Sequence, residues 1–246
     1  MSDVCIKRKI RNRLLDAGEN IFVQSDDKCI DKCKSLKARA DANEAFGAEL
    51  KKGKKADAQR GYEIACKEWM DVRSFGQVFA FKGSDLSLGI RGPVSVQPAF
   101  SVDPIDITSM QITKSVNSED KEGKSSDTMG MKHRVDFGVY ILKGSINVQL
   151  SEKTGFTEED AEKIKEAIRT LFVNDSSSAR PDGSMVMHKL YWWKHNCKIG
   201  QYSSHKVHNS IEIKKKEGVR NPRKIEDYEI ICHELPGLAV EEYEGL

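Results

Sequence analysis

The order of apolar and polar positions changes character along the chain. Ile6, Ile10 and Leu14 recur at a four-residue spacing, which predicts a helix opened by Ser2 or Asp3 and stopped by Gly18. A second helix is expected over residues 25–41. Ser25 can cap it, Asp26 and Asp27 suit its first turn, and Cys29, Cys33, Leu36 and Ala40 share one face. Residues 44–70 read as partly helical, broken around Gly53. After Asp71 the texture turns β-branched and is punctuated by Gly and Pro. Residues 77–81, 90–100 and 105–116 read as strands. Residues 117–130 are polar and rich in Ser and Gly. Residues 134–142 alternate, with Val135, Phe137, Val139 and Ile141 on one face, and 145–150 continues as strand. Thr157, followed by Glu158, Glu159 and Asp160, starts the sharpest helix, whose stripe is Ala161, Ile164, Ala167, Ile168, Leu171 and Phe172. Residues 185–193 are apolar on both faces, as in a strand covered on both sides; 207–213 and 228–232 complete the strands. Helices, then strands, a long hairpin, a helix and further strands define an α+β chain with antiparallel pairing, not a doubly wound repeat.

Composition adds little until its layout is considered. The 246 residues carry 40 Lys plus Arg against 38 Asp plus Glu, a net of +2, so the total argues neither for nor against a polyanionic partner. The distribution is uneven. Residues 1–15 hold Lys7, Arg8, Lys9, Arg11 and Arg13 against Asp3. Residues 28–67 hold eleven basic residues against six acids, and residues 214–224 hold six against Glu217. The last 22 residues hold seven acids and no Lys or Arg. Three basic blocks and an acidic end fit surfaces with different partners, although each block taken alone reads first as an ordinary solvated face. No apolar run is long enough to span a bilayer, and no secretory signal pattern opens the chain, so a cytoplasmic protein with reduced thiols is expected.

Few residues combine into a chemical site. Cys29 and Cys33 are spaced to offer two thiolates from one helix face, but no second pair follows at zinc spacing, and burial preference assigns them to the core. His195 with Cys197, and His205 with His208, lack further converging ligands; no metal and no cofactor is expected. His133 lies between cations and suits general acid–base work on RNA, but a second group and a shaped pocket are not evident. Tyr191, Trp192 and Trp193, flanked by Lys189 and Lys194, read as a stacking platform or as ordinary core aromatics.

Longer runs are more specific. Residues 71–79 (DVRSFGQVF), 90–117 (IRGPVSVQPAFSVDPIDITSMQITKSVN), 128–150 (TMGMKHRVDFGVYILKGSINVQL) and 153–185, together with the opening SDVCIKRKIRNRLLD, resemble the backbone subunits of the type I-C CRISPR surveillance complex, Cascade. The resemblance implies a non-enzymatic RAMP-superfamily protein. Its fold would be one RRM-like (ferredoxin-like) domain over 1–246, with an antiparallel sheet palm, a helical finger region at about 25–70 and a long β-hairpin thumb at about 96–136. Its partners would be CRISPR RNA, target DNA through that guide, copies of itself and other Cascade subunits, with no membrane. Such a subunit grips the guide backbone whatever its sequence, which calls for cations on phosphate. The expected RNA-binding residues are Lys7, Arg8, Arg11 and Arg13 on the first helix; Arg73, Phe75 and Gly76; Gln97; Met110, Met129 and Met131 as wedges against bases; and Lys132, His133 and Arg134 on phosphate. Members of this family usually begin with a further strand, so a chain shortened at its front is expected, with each buried backbone group left unpaired costing about 1–3 kcal/mol. A metal-independent RAMP-type endoribonuclease centred on His133 is the alternative, and a general protein-interaction module is a third reading.

Overall fold

The computed structural model describes residues 1–116 and 129–246. The polar stretch expected at the hairpin tip therefore lies outside the described residues except for Met129 and Gly130. The described chain is α+β, and its strands pair antiparallel in six separate two-stranded ladders. It divides into two compact units. Unit 1 comprises residues 1–98, 142–209 and 234–246; unit 2 comprises residues 99–141 and 210–233.

In unit 1, helix α1 (Asp3–Asp16) is capped by the Ser2 hydroxyl, which accepts from Cys5 N. It buries Ile6, Ile10, Leu14 and Leu15. Polar residues of the same helix are buried too, and each finds a partner. Lys9, only 1% exposed, pairs with Asp175 and sits 5.4 Å from the centre of the Phe172 ring. Arg11 Nε donates to Asp71 Oδ2 at 2.9 Å. A buried charge is tolerated only with such compensation.

The expected helix over 25–41 does not form. A 3-10 turn, Asp26–Lys28, gives way to irregular chain and then to α2 (Leu36–Ala42). Ser25 makes no side-chain cap. Asp31 instead draws the chain out of helical geometry: its carboxylate accepts from Cys33 N at 3.0 Å and from Arg39 Nη2 at 2.8 Å. Lys32 lies in the left-handed region at φ 61°. Cys29 and Cys33 are consequently half-exposed and not core residues.

Three more helices follow, α3 (Glu44–Leu50), α4 (Ala58–Glu68) and α5 (Met70–Phe75), with Asn43 and Asp57 as side-chain caps of the first two. They enclose an aromatic cluster of Phe22, Phe46, Trp69 and Phe79, with ring centres 4.7–6.1 Å apart. Phe79 comes from β1 (Gly76–Ala80), which pairs with β2 (Ser87–Arg91); alternate residues Leu88 and Ile90 of β2 face the same core. At the turn from α5 into β1, Gly76 has φ +80°, and a Cβ there would lie 2.2 Å from the Ile90 carbonyl oxygen. The protein's own neighbouring strand thus lies hard against the Gly76 backbone.

Strand β3 (Val94–Val96) pairs in unit 1 with Gly144–Ile146. The expected continuation of strand to 150 ends there: the Asn147 side chain accepts from Leu150 N and opens a helix, Val148–Thr154, which Gly155 stops at φ +73°. Thr157 caps the helix as expected, in a capping box completed by the Asp160 side chain, and Glu158–Arg169 is helical with Ile164 and Ala167 buried. Lys189–Trp193 pairs with Val240–Glu244; it is a half-buried ladder rather than a strand enclosed on both sides. A short helix, Ser204–His208, occupies the start of the segment read as strand 207–213.

Unit 2 contains β4 (Phe100–Ser101), β5 (Ile107–Thr113), β6 (Met129–Val135) and β7 (Tyr140–Ile141). β5 pairs with β6 and β4 with β7. The single alternating run over 134–142 is therefore two strands. Ile211–Lys215 and Tyr228–Cys232 make the remaining ladder. Completing chain order, Gly144–Ile146 is β8, Lys189–Trp193 is β9, Ile211–Lys215 is β10, Tyr228–Cys232 is β11 and Val240–Glu244 is β12; Val148–Thr154 is α6, Glu158–Arg169 is α7 and Ser204–His208 is α8.

Asp71 is the test of this packing. It is 1% exposed and accepts from Phe22 N at 2.7 Å, Val23 N at 3.0 Å and Arg11 Nε. Asp71→Ala leaves three donors unpaired and is expected to cost about 3–5 kcal/mol in urea unfolding. Arg8→Ala, at an exposed helix position, is expected to stay within about 0.5 kcal/mol of the parent.

Candidate nucleic-acid interface

Within unit 2, the β5/β6 ladder exposes apolar side chains on both surfaces. Its register places Thr113 opposite Met129, Gln111 opposite Met131, Ser109 opposite His133 and Ile107 opposite Val135. These eight side chains share one face, because side chains alternate along a strand and directly opposed residues lie on the same side. Met110, Ile112, Lys132 and Arg134 lie on the other. The hairpin therefore has two chemically different surfaces. One carries Met129, Met131, Ile107 and Val135 around a Ser109–His133 hydrogen bond of 2.8 Å. The other sets two cations beside Met110 and Ile112. Met110, Ile112, Met129 and Met131 are all exposed, at 39%, 49%, 65% and 55%, so neither surface is covered by unit 2 itself.

Polar bonds orient these groups. Gln111 Nε2 donates to the Met129 sulfur at 2.6 Å across the strands. At the base, Asp136 accepts from Thr108 Oγ1 and from Arg134 Nε, each at 2.7 Å, and these bonds hold its carboxyl below the usual range. Arg134 remains about half exposed while so anchored. In the same unit, Tyr228 donates to Asp103 at 2.6 Å; burial and that carboxylate push its hydroxyl up to about 12. Lys214, Lys215, Lys216, Arg220, Arg223 and Lys224 are exposed on or after β10.

The residues expected on RNA from unit 1 fare differently. Arg8 is exposed. Lys7 pairs with Asp3 at 3.3 Å. Arg13 donates to Thr170 Oγ1 and Asp16 Oδ2, both at 3.1 Å. Arg11, besides its bond to Asp71, lies 5.1 Å from the centre of the Phe75 ring, so the fold does bring the first helix and the DVRSFG run together. Arg73 makes a two-pronged bond to Asp160, at 2.9 and 2.7 Å. Asp160 also accepts from Thr157 N at 3.0 Å, so one carboxylate caps α7 and anchors α5. Gln97 is exposed, with its backbone N–H on the Lys143 carbonyl. Several cations anticipated on phosphate thus hold the protein's own carboxylates. Trp192 lies under Lys165, which is 5.5 Å from its ring centre, and Tyr191 stacks on Trp193 at 6.2 Å. Ile112 is not among the residues that sequence reasoning singles out; its signal is period-two spacing from Met110, which acquires meaning only with the register.

No cluster of His, Cys, Asp and Glu able to hold a metal occurs among the described residues. No helix there is long and apolar enough to cross a membrane.

Comparison with known proteins settles the family. The model of "CRISPR-associated protein Cas7" matches residues 1–233. The chain belongs to the Cas7 family. A chain of a solved structure titled "CRISPR RNA-guided surveillance complex, pre-nicking" matches at 19% identity and TM-score 0.34; the match covers 72% of this chain and 59% of that one, less than two thirds of its length. No curated protein matches.

The Arg73–Asp160 ion pair has a definite pH signature. Burial raises the Asp160 carboxyl, but Arg73 and the Thr157 cap outweigh it and hold the group below its ordinary 3.8. Its contribution to stability is therefore complete above that ordinary value and disappears as the pH falls through the lowered one. In thermal melts followed by circular dichroism from about pH 6 downward, Asp160→Asn is expected to lower the melting temperature near neutrality and to flatten its acid-side decline.

Proposed function

We propose that this chain is a guide-RNA-binding scaffold subunit of a type I-C Cascade, which lines up with copies of itself along CRISPR RNA and presents the guide for pairing with target DNA. Membership of the Cas7 family over residues 1–233 carries this reading. The hairpin supports it. A protein that grips any guide sequence needs cations for phosphate and apolar groups indifferent to base identity. Lys132 and Arg134 with Met110 and Ile112 on one exposed face meet both needs. Methionine suits this place because its unbranched side chain adapts to whatever lies against it. The remaining exposed cations, Arg8 and the 214–224 block, are further candidates for binding phosphate. The protein is proposed to work without chemistry of its own and without a cofactor.

The face assignment has a measurable consequence. Lys132→Ala with Arg134→Ala is expected to weaken single-stranded RNA binding and to reduce the slope of log affinity against log salt by about 0.7 for each phosphate no longer neutralised. Met129→Ala with Met131→Ala is expected to leave that slope unchanged. A parent protein whose RNA affinity ignores salt would overturn the scaffold reading.

The Ser109–His133 hydrogen bond gives the endoribonuclease reading a concrete form. Incubation of the parent and of His133→Ala with CRISPR repeat RNA in the presence of chelator separates the two readings. Intact RNA with both is expected. Cleavage by the parent that is abolished in His133→Ala would favour the enzyme.

A further inference from the structure

Cys29 and Cys33 are absorbed neither by the core nor by the proposed interface. They flank Asp31 and Lys32 in the irregular chain before α2, and both are half-exposed. The Cys29 thiol lies 3.6 Å from the Cys33 carbonyl oxygen and 3.3 Å from Asp31 Oδ1, while Arg39 Nη2 lies 3.5 Å from the same sulfur. Arg39 is itself fixed, since it is 6% exposed and donates to the Phe22 carbonyl at 2.7 Å. One sulfur therefore already lies against the main chain of the other cysteine, beside an immobile cation. Residues 29–34 lie in no helix or strand, and their main chain is held by side chains, with Ile30 N on Gln24 Oε1 at 3.1 Å and Cys33 N on Asp31 Oδ1 at 3.0 Å, so closure of the pair asks for side-chain rotation and not for the unwinding of a helix. On a continuous helix the two residues would be held one turn apart.

We propose that Cys29 and Cys33 form a reversible disulfide on reaction with a small-molecule disulfide such as oxidised glutathione, with Cys29 as the attacking sulfur. The Cys29 thiolate, facing the Arg39 guanidinium, attacks one sulfur of the small disulfide; a new S–S bond forms and one glutathione thiolate leaves. Cys33 then gives up its proton to water and its sulfur attacks Cys29 Sγ, releasing the second glutathione thiolate. The two cysteines give up two electrons and two protons in all. Glutathione disulfide takes up the electrons and, protonated by solvent, ends as two thiols. Burial and the Asp31 carboxylate push Cys33 above the ordinary thiol range, so little of it is thiolate near neutrality and it is not expected to attack first. Of the other cysteines, Cys66 is buried, and that burial pushes its thiol up to about 11, so it is expected to stay unreacted. Cys197 is exposed and serves as the internal control for access of the reagent.

The test treats the full chain, reduced beforehand, with oxidised glutathione, alkylates the remaining thiols and digests with trypsin. Cleavage after Lys32 separates the two cysteines, so peptides that stay joined until reductant is added identify the disulfide. The parent is expected to yield that joined pair, and Cys33→Ser is expected to retain glutathione on Cys29. Recovery of Cys29 and Cys33 as alkylated thiols or as separate adducts, in a sample whose Cys197 is glutathionylated, would overturn the proposal. A joined pair in the parent without an adduct on Cys29 in Cys33→Ser would overturn the assignment of the attacking sulfur.

Discussion

The carboxylate of Asp71 ties α5 to α1 and to the loop that follows α1, about 50 residues earlier in the chain. It accepts two backbone N–H groups from the loop after α1, at Phe22 and Val23, and the guanidinium of Arg11 from α1 itself. Phe22 is thereby delivered into the aromatic cluster with Trp69, Phe46 and Phe79. Arg11 is in turn brought over Phe75. A buried anion with three donors is stable only while all three are present, so the position of the basic helix, the loop and the aromatic core stand or fall together.

The same economy governs the rest of α1. Lys9 meets Asp175 and Arg13 meets Thr170, while Arg73 meets Asp160 at the start of α7. A run of cations looks like a nucleic-acid surface because unpaired charge is costly to bury and useful on phosphate. Pairing removes that cost, and residues remote in sequence supply the pairing. The hairpin of unit 2 differs, because Arg134 stays about half exposed even while it holds Asp136. Two strands have no interior, so both of its faces remain available, and its exposed methionines and cations are the best-supported candidates for gripping a guide.

Much of the fold was legible in local signals. The Ser2 start of α1, the Thr157 cap, and the strands around 77–81, 107–113 and 228–232 follow from caps and periodicity that act within a few residues. The failures have local causes that composition hides. Residues 25–41 carry a helical apolar spacing, but Asp31 binds Cys33 N and Arg39, and those bonds outcompete helix propensity. Residues 145–150 look like strand, but Asn147 caps a helix at Val148. Residues 134–142 alternate without a break, yet the ladder partners change after Val135.

The sequence by itself determined the chain's class, the ends of its best helix, the uneven layout of charge and, through long matching runs, its kinship. These are properties of neighbours in the chain. It did not determine which cations would be spent on internal carboxylates, because Asp71, Asp160 and Asp175 reach Arg11, Arg73 and Lys9 only once the chain has folded. Nor did it determine that Met110 would share a face with Lys132 and Arg134 rather than with Met129, Met131 and His133. That depends on register, and a shift of one residue between two strands exchanges their faces.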